Sequence, residues 1–228
     1  MGYKEEFIRF MVQSGVLTFG DFVTKSGRNT PYFINTGNYR TGEQAARLGE
    51  YYAACLLEHM DNGDISPDLQ VLFGPAYKGI PLAVATSVAL FTKHGKNVGY
   101  CFNRKEKKDH GEGGNMVGHV LQDGDRVVIT EDVITAGTAV RETLPLLQAA
   151  ADVRVEALLV SVDRMERGTG EKTAIQELYE EYGIRTFPIV TVKEVIETLH
   201  NVPVDGKIVI DDAVRAAMEA YMEKYCVY

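Results

Sequence analysis

The chemically densest stretch of the chain is residues 127–141, VVITEDVITAGTAVR. An apolar run ends in two adjacent carboxylates, Glu131 and Asp132. Two aliphatic residues follow, Val133 and Ile134, then the small-residue loop Thr135-Ala136-Gly137-Thr138, and a helical pattern opens at Ala139. Small residues let backbone N–H groups approach an anion closely, and a helix N-terminus adds unpaired donors and positive dipole character. With two threonine hydroxyls as further donors, this is a cradle for a monophosphate. The paired acids would repel phosphate. They make sense if they hold ribose hydroxyls, or Mg2+ with its preference for oxygen ligands, on the same molecule. An ordinary capped helix start would explain any one of these residues, but it needs neither paired acids nor the spacer. The stretch contains neither GxxxxGK[ST] nor GxGxxG, so it is not one of the common nucleotide loops.

Three other segments carry related chemistry. Residues 74–83, GPAYKGIPLA, make a tight turn that presents Tyr77 and Lys78 before a helix, a geometry suited to pyrophosphate. Residues 102–115, FNRKEKKDHGEGGN, hold Arg104, Lys105, Lys107 and Lys108, then His110 and three glycines. A solvated surface loop has this composition, and so does a cationic lid that closes over a polyanion. Residues 25–35, KSGRNTPYFIN, offer the cation Lys25 and, at Tyr32-Phe33, aromatic surface for a base or for the core.

The elements that must position these segments follow from apolar patterning. Runs at 70–74, 98–102, 126–130, 155–162 and 186–190 are rich in valine, isoleucine, leucine and aromatics. They read as five strands of a sheet buried on both faces. Helical patterns at 80–93, 138–151 and 173–182 alternate with them, which predicts βαβ units and an α/β fold with a mostly parallel sheet flanked by helices. Further helices are expected at 4–14, 41–60, 192–199 and 211–224. Residues 1–62 read as a small N-terminal cap or hood containing the base-contacting loop, 63–200 as the core, and 201–228 as an extension packing on the cap. Ligands of open parallel sheets bind at the carboxyl ends of strands, where three of the four chemical segments fall.

Bulk properties narrow the function class. The chain has 228 residues, 45% hydrophobic and 25% charged, which suits a soluble domain with a sizeable core. A net charge of −8 argues against general nucleic-acid binding. Three widely spaced cysteines form no CxxC pair, which points to reduced thiols in a cytoplasmic protein rather than a disulfide or zinc framework. No signal-peptide pattern and no apolar run near the ~20 residues of a membrane span is present, so no membrane partner is expected.

The 127–141 string resembles the 5-phosphoribosyl pyrophosphate (PRPP) motif of type I phosphoribosyltransferases, with Glu131 standing where that family usually has Asp. With the other three segments in order, and with 161–168 (SVDRMERG), residues ~5 to ~200 resemble orotate phosphoribosyltransferases specifically. The resemblance implies a glycosyltransferase of pyrimidine biosynthesis acting on orotate and PRPP with Mg2+, held mainly by PRPP and near Glu131 and Asp132. It implies PRPP contacts at Lys25, Tyr77, Lys78, Glu131, Asp132, Val133, Ile134, Thr135, Ala136, Gly137, Thr138 and Ala139. It assigns orotate contacts to Phe33, Ile34, Thr135 and Arg164, and catalytic roles to Lys108, His110, Arg104 and Lys105. Ile34 stands where relatives often have Phe. Relatives share the lid between two subunits, which implies a homodimer. The alternatives are a phosphoribosyltransferase for another base and a non-enzymatic PRPP-sensing regulator.

Overall fold

The computed structural model describes residues 2–24, 27–105, 115–134, 137–168 and 170–227. Helix α1 (Tyr3–Gln13) leads into a hairpin of β1 (Leu17–Val23) and β2 (Asn29–Ile34), a 3-10 turn at Thr36–Asn38 and helix α2 (Gly42–Asp61). The core follows as β3 (Val71–Phe73), α3 (Gly79–His94), β4 (Gly99–Asn103), β5 (Met116–Gly118), β6 (Arg126–Thr130), α4 (Thr138–Ala150), β7 (Arg154–Asp163), α5 (Ala174–Tyr182) and β8 (Arg185–Thr191). Helix α6 (Val192–Leu199), the short strands β9 (Pro203–Val204) and β10 (Lys207–Ile208), and helix α7 (Asp212–Tyr225) complete the chain.

The core sheet runs β5-β4-β3-β6-β7-β8. It has six strands rather than five. The extra strand, β5, is only three residues long and pairs antiparallel with β4, while every other pairing is parallel. The expected fold class holds: α/β, a mostly parallel sheet, helices on both faces. Side chains alternate between the faces, as the two-residue period of a strand requires. Leu72, Val128, Ala157 and Leu159 pack on the side of α1, α2 and α6, whereas Val71, Phe73, Val127, Ile129, Leu158 and Val160 pack against α4 and α5. Because both faces are covered, the strands read in sequence as unbroken apolar runs.

Helix starts are written in local chemistry. The hydroxyl of Thr41 accepts from the Gln44 N–H, and the Gln44 side chain accepts from the Thr41 N–H; the same reciprocal pair opens α5 and α6. Residues 19–39 contain most of the hairpin, in which a bulge between Phe19 and Phe22 interrupts the β1–β2 register. Helix α7 packs on this hairpin, where the ring of Tyr221 meets Tyr32 edge-on at 6.0 Å.

Helices α2 and α3 approach closely because Gly49 faces the backbone of Ala85. A Cβ at position 49 would stand 2.4 Å from the Ala85 carbonyl oxygen. Gly49→Ala should therefore destabilise the fold by about 1–3 kcal/mol despite alanine's better helix propensity. A lower urea midpoint checks this; an unchanged or higher midpoint contradicts the close approach.

Candidate active site

Strands β3 and β6 are neighbours, but the chain leaves them toward opposite sides of the sheet. Their carboxyl ends therefore open into one crevice, the topological switch point where open α/β sheets bind ligands. Backbone approach here is tight. A Cβ at Gly74 would stand 2.2 Å from the Gly79 carbonyl oxygen, and one at Gly79 would stand 2.8 Å from that of Thr130. Glycine is required where the turn after β3 passes the end of β6.

The acids after β6 are held by their backbone. The Glu131 N–H donates to the Leu159 carbonyl at 2.9 Å, the Ser161 N–H donates to the Asp132 carbonyl at 2.9 Å, and the Ser161 hydroxyl donates to the same oxygen. From α2, the Tyr52 hydroxyl donates to the Glu131 carbonyl at 2.6 Å. The side chain of Asp132 joins three segments. Its Oδ2 accepts from Thr36 Oγ1 at 2.7 Å and from Lys78 Nζ at 2.8 Å, while Lys78 also donates to the Thr36 hydroxyl at 3.1 Å. The Lys78 side chain is 65% exposed and that of Asp132 only 14%. The lysine can thus leave the pair for an incoming anion at small cost.

Beside the acids, Gly137 takes a left-handed conformation (φ 69°) and α4 begins at Thr138. Here Glu131, Val133, Ile134, Gly137, Thr138 and Ala139 line a cavity of about 300 Å3 at the N-terminus of a 13-residue helix. A second cavity of similar volume lies between α2 and α3, with Tyr39, Tyr52, Pro81 and Leu82 in its walls and Lys78 and Asp132 at its rim. The two carboxylates suit Mg2+, which takes one or two protein carboxylates and draws its remaining oxygens from ligand phosphate and water. Among the described residues no three His, Cys, Asp or Glu side chains form a metal cage.

The turn after β3 is fixed by the Ala76 N–H, which donates to Asn103 Oδ1 at 2.9 Å, and it contains a cis peptide between Ala76 and Tyr77. Lys105 Nζ lies 5.2 Å from the exposed Tyr77 ring. The Arg104 N–H donates to the Asn115 carbonyl, closing the base of the glycine-rich segment. Lys25, Lys108, His110, Thr135 and Ala136 lie outside the described residues.

The base-contacting candidates sit on β2 and after β7. Phe33 is half exposed and stacks on Phe22 at 5.5 Å, and Ile34 is half-buried against the core. Arg164 places its guanidinium 4.5 Å from the Tyr32 ring and donates through Nε and Nη2 to Glu166. Strand alternation thus turns the Phe33 ring away from Arg164 and the Tyr32 ring toward it. The sequence alone does not mark Thr36 and Tyr52, while Ser161 and Asn103 fall in segments that it marks for other residues. Thr36 is an isolated hydroxyl in a Gly/Asn-rich turn, and its partner lies 96 residues away.

The comparisons agree with this geometry. Residues 35–184 match the model of the phosphoribosyl transferase domain. The orotate phosphoribosyltransferase of Clostridium beijerinckii is 55% identical over 223 residues, covering 98% of this chain and 97% of the relative. The enzyme of that name from Lachnoclostridium phytofermentans is 56% identical with the same coverage. The chain belongs to the orotate phosphoribosyltransferase family. A crystal structure of the orotate phosphoribosyltransferase from Francisella tularensis superimposes with a TM-score of 0.81 at 32% identity, covering 97% of this chain and all of that one. Orotate phosphoribosyltransferases thus share both the sequence and the fold of this chain along its length.

The environment of Glu131 has a measurable consequence. Burial, reinforced by the adjacent negative charge of Asp132, pushes its carboxyl from the ordinary 4.5 up to about 7. The folded protein keeps a proton there that the unfolded chain gives up. This stabilising difference is complete below about 4.5 and is lost as the pH rises to about 7. Glu131→Gln should flatten the fall in melting temperature across that window. An identical slope in both proteins would exclude Glu131 as its source.

Proposed function

We propose that this chain transfers the 5-phosphoribosyl group from PRPP to orotate, yielding orotidine 5′-phosphate and pyrophosphate in pyrimidine biosynthesis. The observation that carries the reading is the convergence of Lys78, Thr36 and Asp132 beside the α4 cradle. It brings a cation, an acid and the cavity at the α4 N-terminus to one switch point, which supports reading them as pyrophosphate, ribose and phosphate contacts.

In this reading the 5′-phosphate occupies the loop of Thr135, Ala136, Gly137, Thr138 and Ala139. Glu131 and Asp132 accept from the ribose hydroxyls, and Val133 and Ile134 form the backbone between acids and cradle. Tyr77 and Lys78 face the pyrophosphate, and Lys25 is a further contact to PRPP. As the bond from ribose C1 to the pyrophosphate oxygen breaks, negative charge grows on the leaving group, and positioned cations stabilise it. Lys78 leaves Asp132 for that charge. Arg104, Lys105, Lys108 and His110 close over it from the lid, with Lys108 and His110 as donors to the leaving oxygen. Bound Mg2+ supplies further charge neutralisation at the phosphate oxygens near Glu131 and Asp132. The ring nitrogen of orotate forms its bond to C1 as the bond from C1 to pyrophosphate breaks, and its N–H proton passes to water; the charge orotate carries at neutral pH lies on its carboxylate. Backbone at Phe33 and Ile34, together with Thr135, borders the ring, and Arg164 takes its carboxylate. A base without the carboxylate gives Arg164 nothing to grip, which disfavours uracil and purines.

We further read the active form as a homodimer. Pro81, Val84, Val88 and Phe91 recur at three- and four-residue steps along α3, and Tyr77 lies in the turn just before it. Tyr77, Val88 and Phe91 are 67%, 55% and 59% exposed, an apolar stripe suited to a second copy. No helix of the described residues is long and apolar enough to cross a membrane. The three cysteines are buried and free, which suits the reducing cytoplasm.

Absorbance of orotate, followed with PRPP and Mg2+, tests the activity. Loss of orotate that needs all three components, with orotidylate and pyrophosphate as products, is the expected result. Turnover of another base alone would overturn the base assignment, and PRPP binding without turnover of any base would favour a regulator. Lys108→Ala should depress kcat by about 100-fold or more while changing PRPP affinity little, because its partner is charge that develops in the transition state. Equal losses in both would contradict that role. Val88→Glu should shift the protein to monomer in sedimentation and reduce activity in parallel. A fully active monomer would refute lid sharing.

A further inference from the structure

The segment after β7 is built in an unusual way around one side chain. Glu166 Oε1 accepts from Arg164 Nε at 2.9 Å, from Arg164 Nη2 at 2.6 Å and from the Tyr221 hydroxyl at 2.7 Å. Tyr221 comes from α7, whose Asp211 cap accepts from the Val214 N–H and whose Met218, Tyr221 and Met222 form the buried face. The chain end then pairs with the same segment. Glu166 bridges Cys226 antiparallel, the Arg167 N–H donates to the Tyr225 carbonyl at 2.9 Å, and the Val227 N–H donates to the Met165 carbonyl at 2.9 Å. From the hairpin loop, Arg28 lies 4.0 Å from Glu166 Oε2 and 5.1 Å from the Tyr225 ring.

This leaves Arg164 fixed on two sides. Its face rests on Tyr32, which is 1% exposed, and its Nε/Nη2 edge is taken by Glu166. Glu166 uses two of the five guanidinium N–H groups. Nη1 makes no hydrogen bond to the described residues. The end of the fork, one N–H on each terminal nitrogen, is the pair whose parallel geometry matches a carboxylate.

We propose that Glu166 and Tyr221 are positioning residues for base selection, and that the C-terminal helix is thereby part of the orotate site. The Tyr221 hydroxyl fixes the carboxylate of Glu166. Glu166 then sets the rotation of the Arg164 guanidinium, so that its open end meets the carboxylate of an anionic pyrimidine. The inference rests on the reading of the chain as an orotate phosphoribosyltransferase. It adds a role for α7 that local sequence does not carry.

The test is steady-state kinetics on the full-length chain with Tyr221→Phe, Glu166→Gln and Glu166→Ala. Tyr221→Phe keeps the buried ring and removes only the hydroxyl. It should raise KM for orotate about tenfold and leave KM for PRPP within about twofold, because one hydrogen bond to a charged group is lost. Glu166→Gln retains an acceptor oxygen for Arg164 and should fall between wild type and Glu166→Ala. If Glu166→Ala fails to fold, Tyr221→Phe alone decides. An orotate KM that is unchanged or lower, or parallel rises in both KM values, would overturn the inference while wild-type turnover leaves the proposed function intact. A wild type that does not consume orotate would overturn both.

Discussion

Everything at the candidate site depends on one constraint of parallel sheets: β3 and β6 lie side by side, yet their connections depart in opposite directions. Their carboxyl ends must then share a crevice. The crevice is usable only because Gly74 lets the turn after β3 fold tightly on Gly79, and Gly79 lets that turn pass within contact distance of the Thr130 backbone. A side chain at Gly79 would press on the Thr130 carbonyl and one at Gly74 on the Gly79 carbonyl, so either would disturb the turn that carries Lys78 to Asp132. The site is thus a property of strand order and of two missing Cβ atoms before it is a property of any charged group.

The charges follow that scaffold. Asp132 is held by strand β7 through Ser161 and by α2 through Tyr52 on the neighbouring carbonyl, so the acid is fixed while Lys78 remains exposed. A buried, hydrogen-bonded acid paired with an exposed cation would let an anionic ligand replace the internal ion pair. Two carboxylates side by side cannot both be charged cheaply in a partly buried setting, and Glu131 bears the cost as a raised pKa. A metal ion or ribose hydroxyls at this point would relieve it.

Much of this was legible in the sequence because the physics was local. Five of the six core strands are short apolar runs covered on both faces, and the helices after them begin within a residue or two of the expected positions. The E-D-V-I-T-A-G-T string announces its chemistry because acids, spacer and cradle are contiguous. Strand β5, with three half-buried or exposed residues, has no period to detect. The β1–β2 hairpin hid behind Gly20, Pro31 and a bulge, which break the two-residue alternation. Thr36 and Tyr221 were illegible for a different reason. A lone hydroxyl in a turn and a tyrosine on an amphipathic helix acquire meaning only through partners 96 and 55 residues away.

The central claim is that the two loops form one ligand site rather than two independent ones. A double-mutant cycle on PRPP affinity, measured by calorimetry with Lys78→Ala, Asp132→Asn and the pair, tests it directly. If the two groups position each other and hold one molecule, the double variant should lose less affinity than the sum of the single losses, by more than about 1 kcal/mol. Losses that add to within about 0.3–0.5 kcal/mol would mean that the two residues act separately, and would contradict the account.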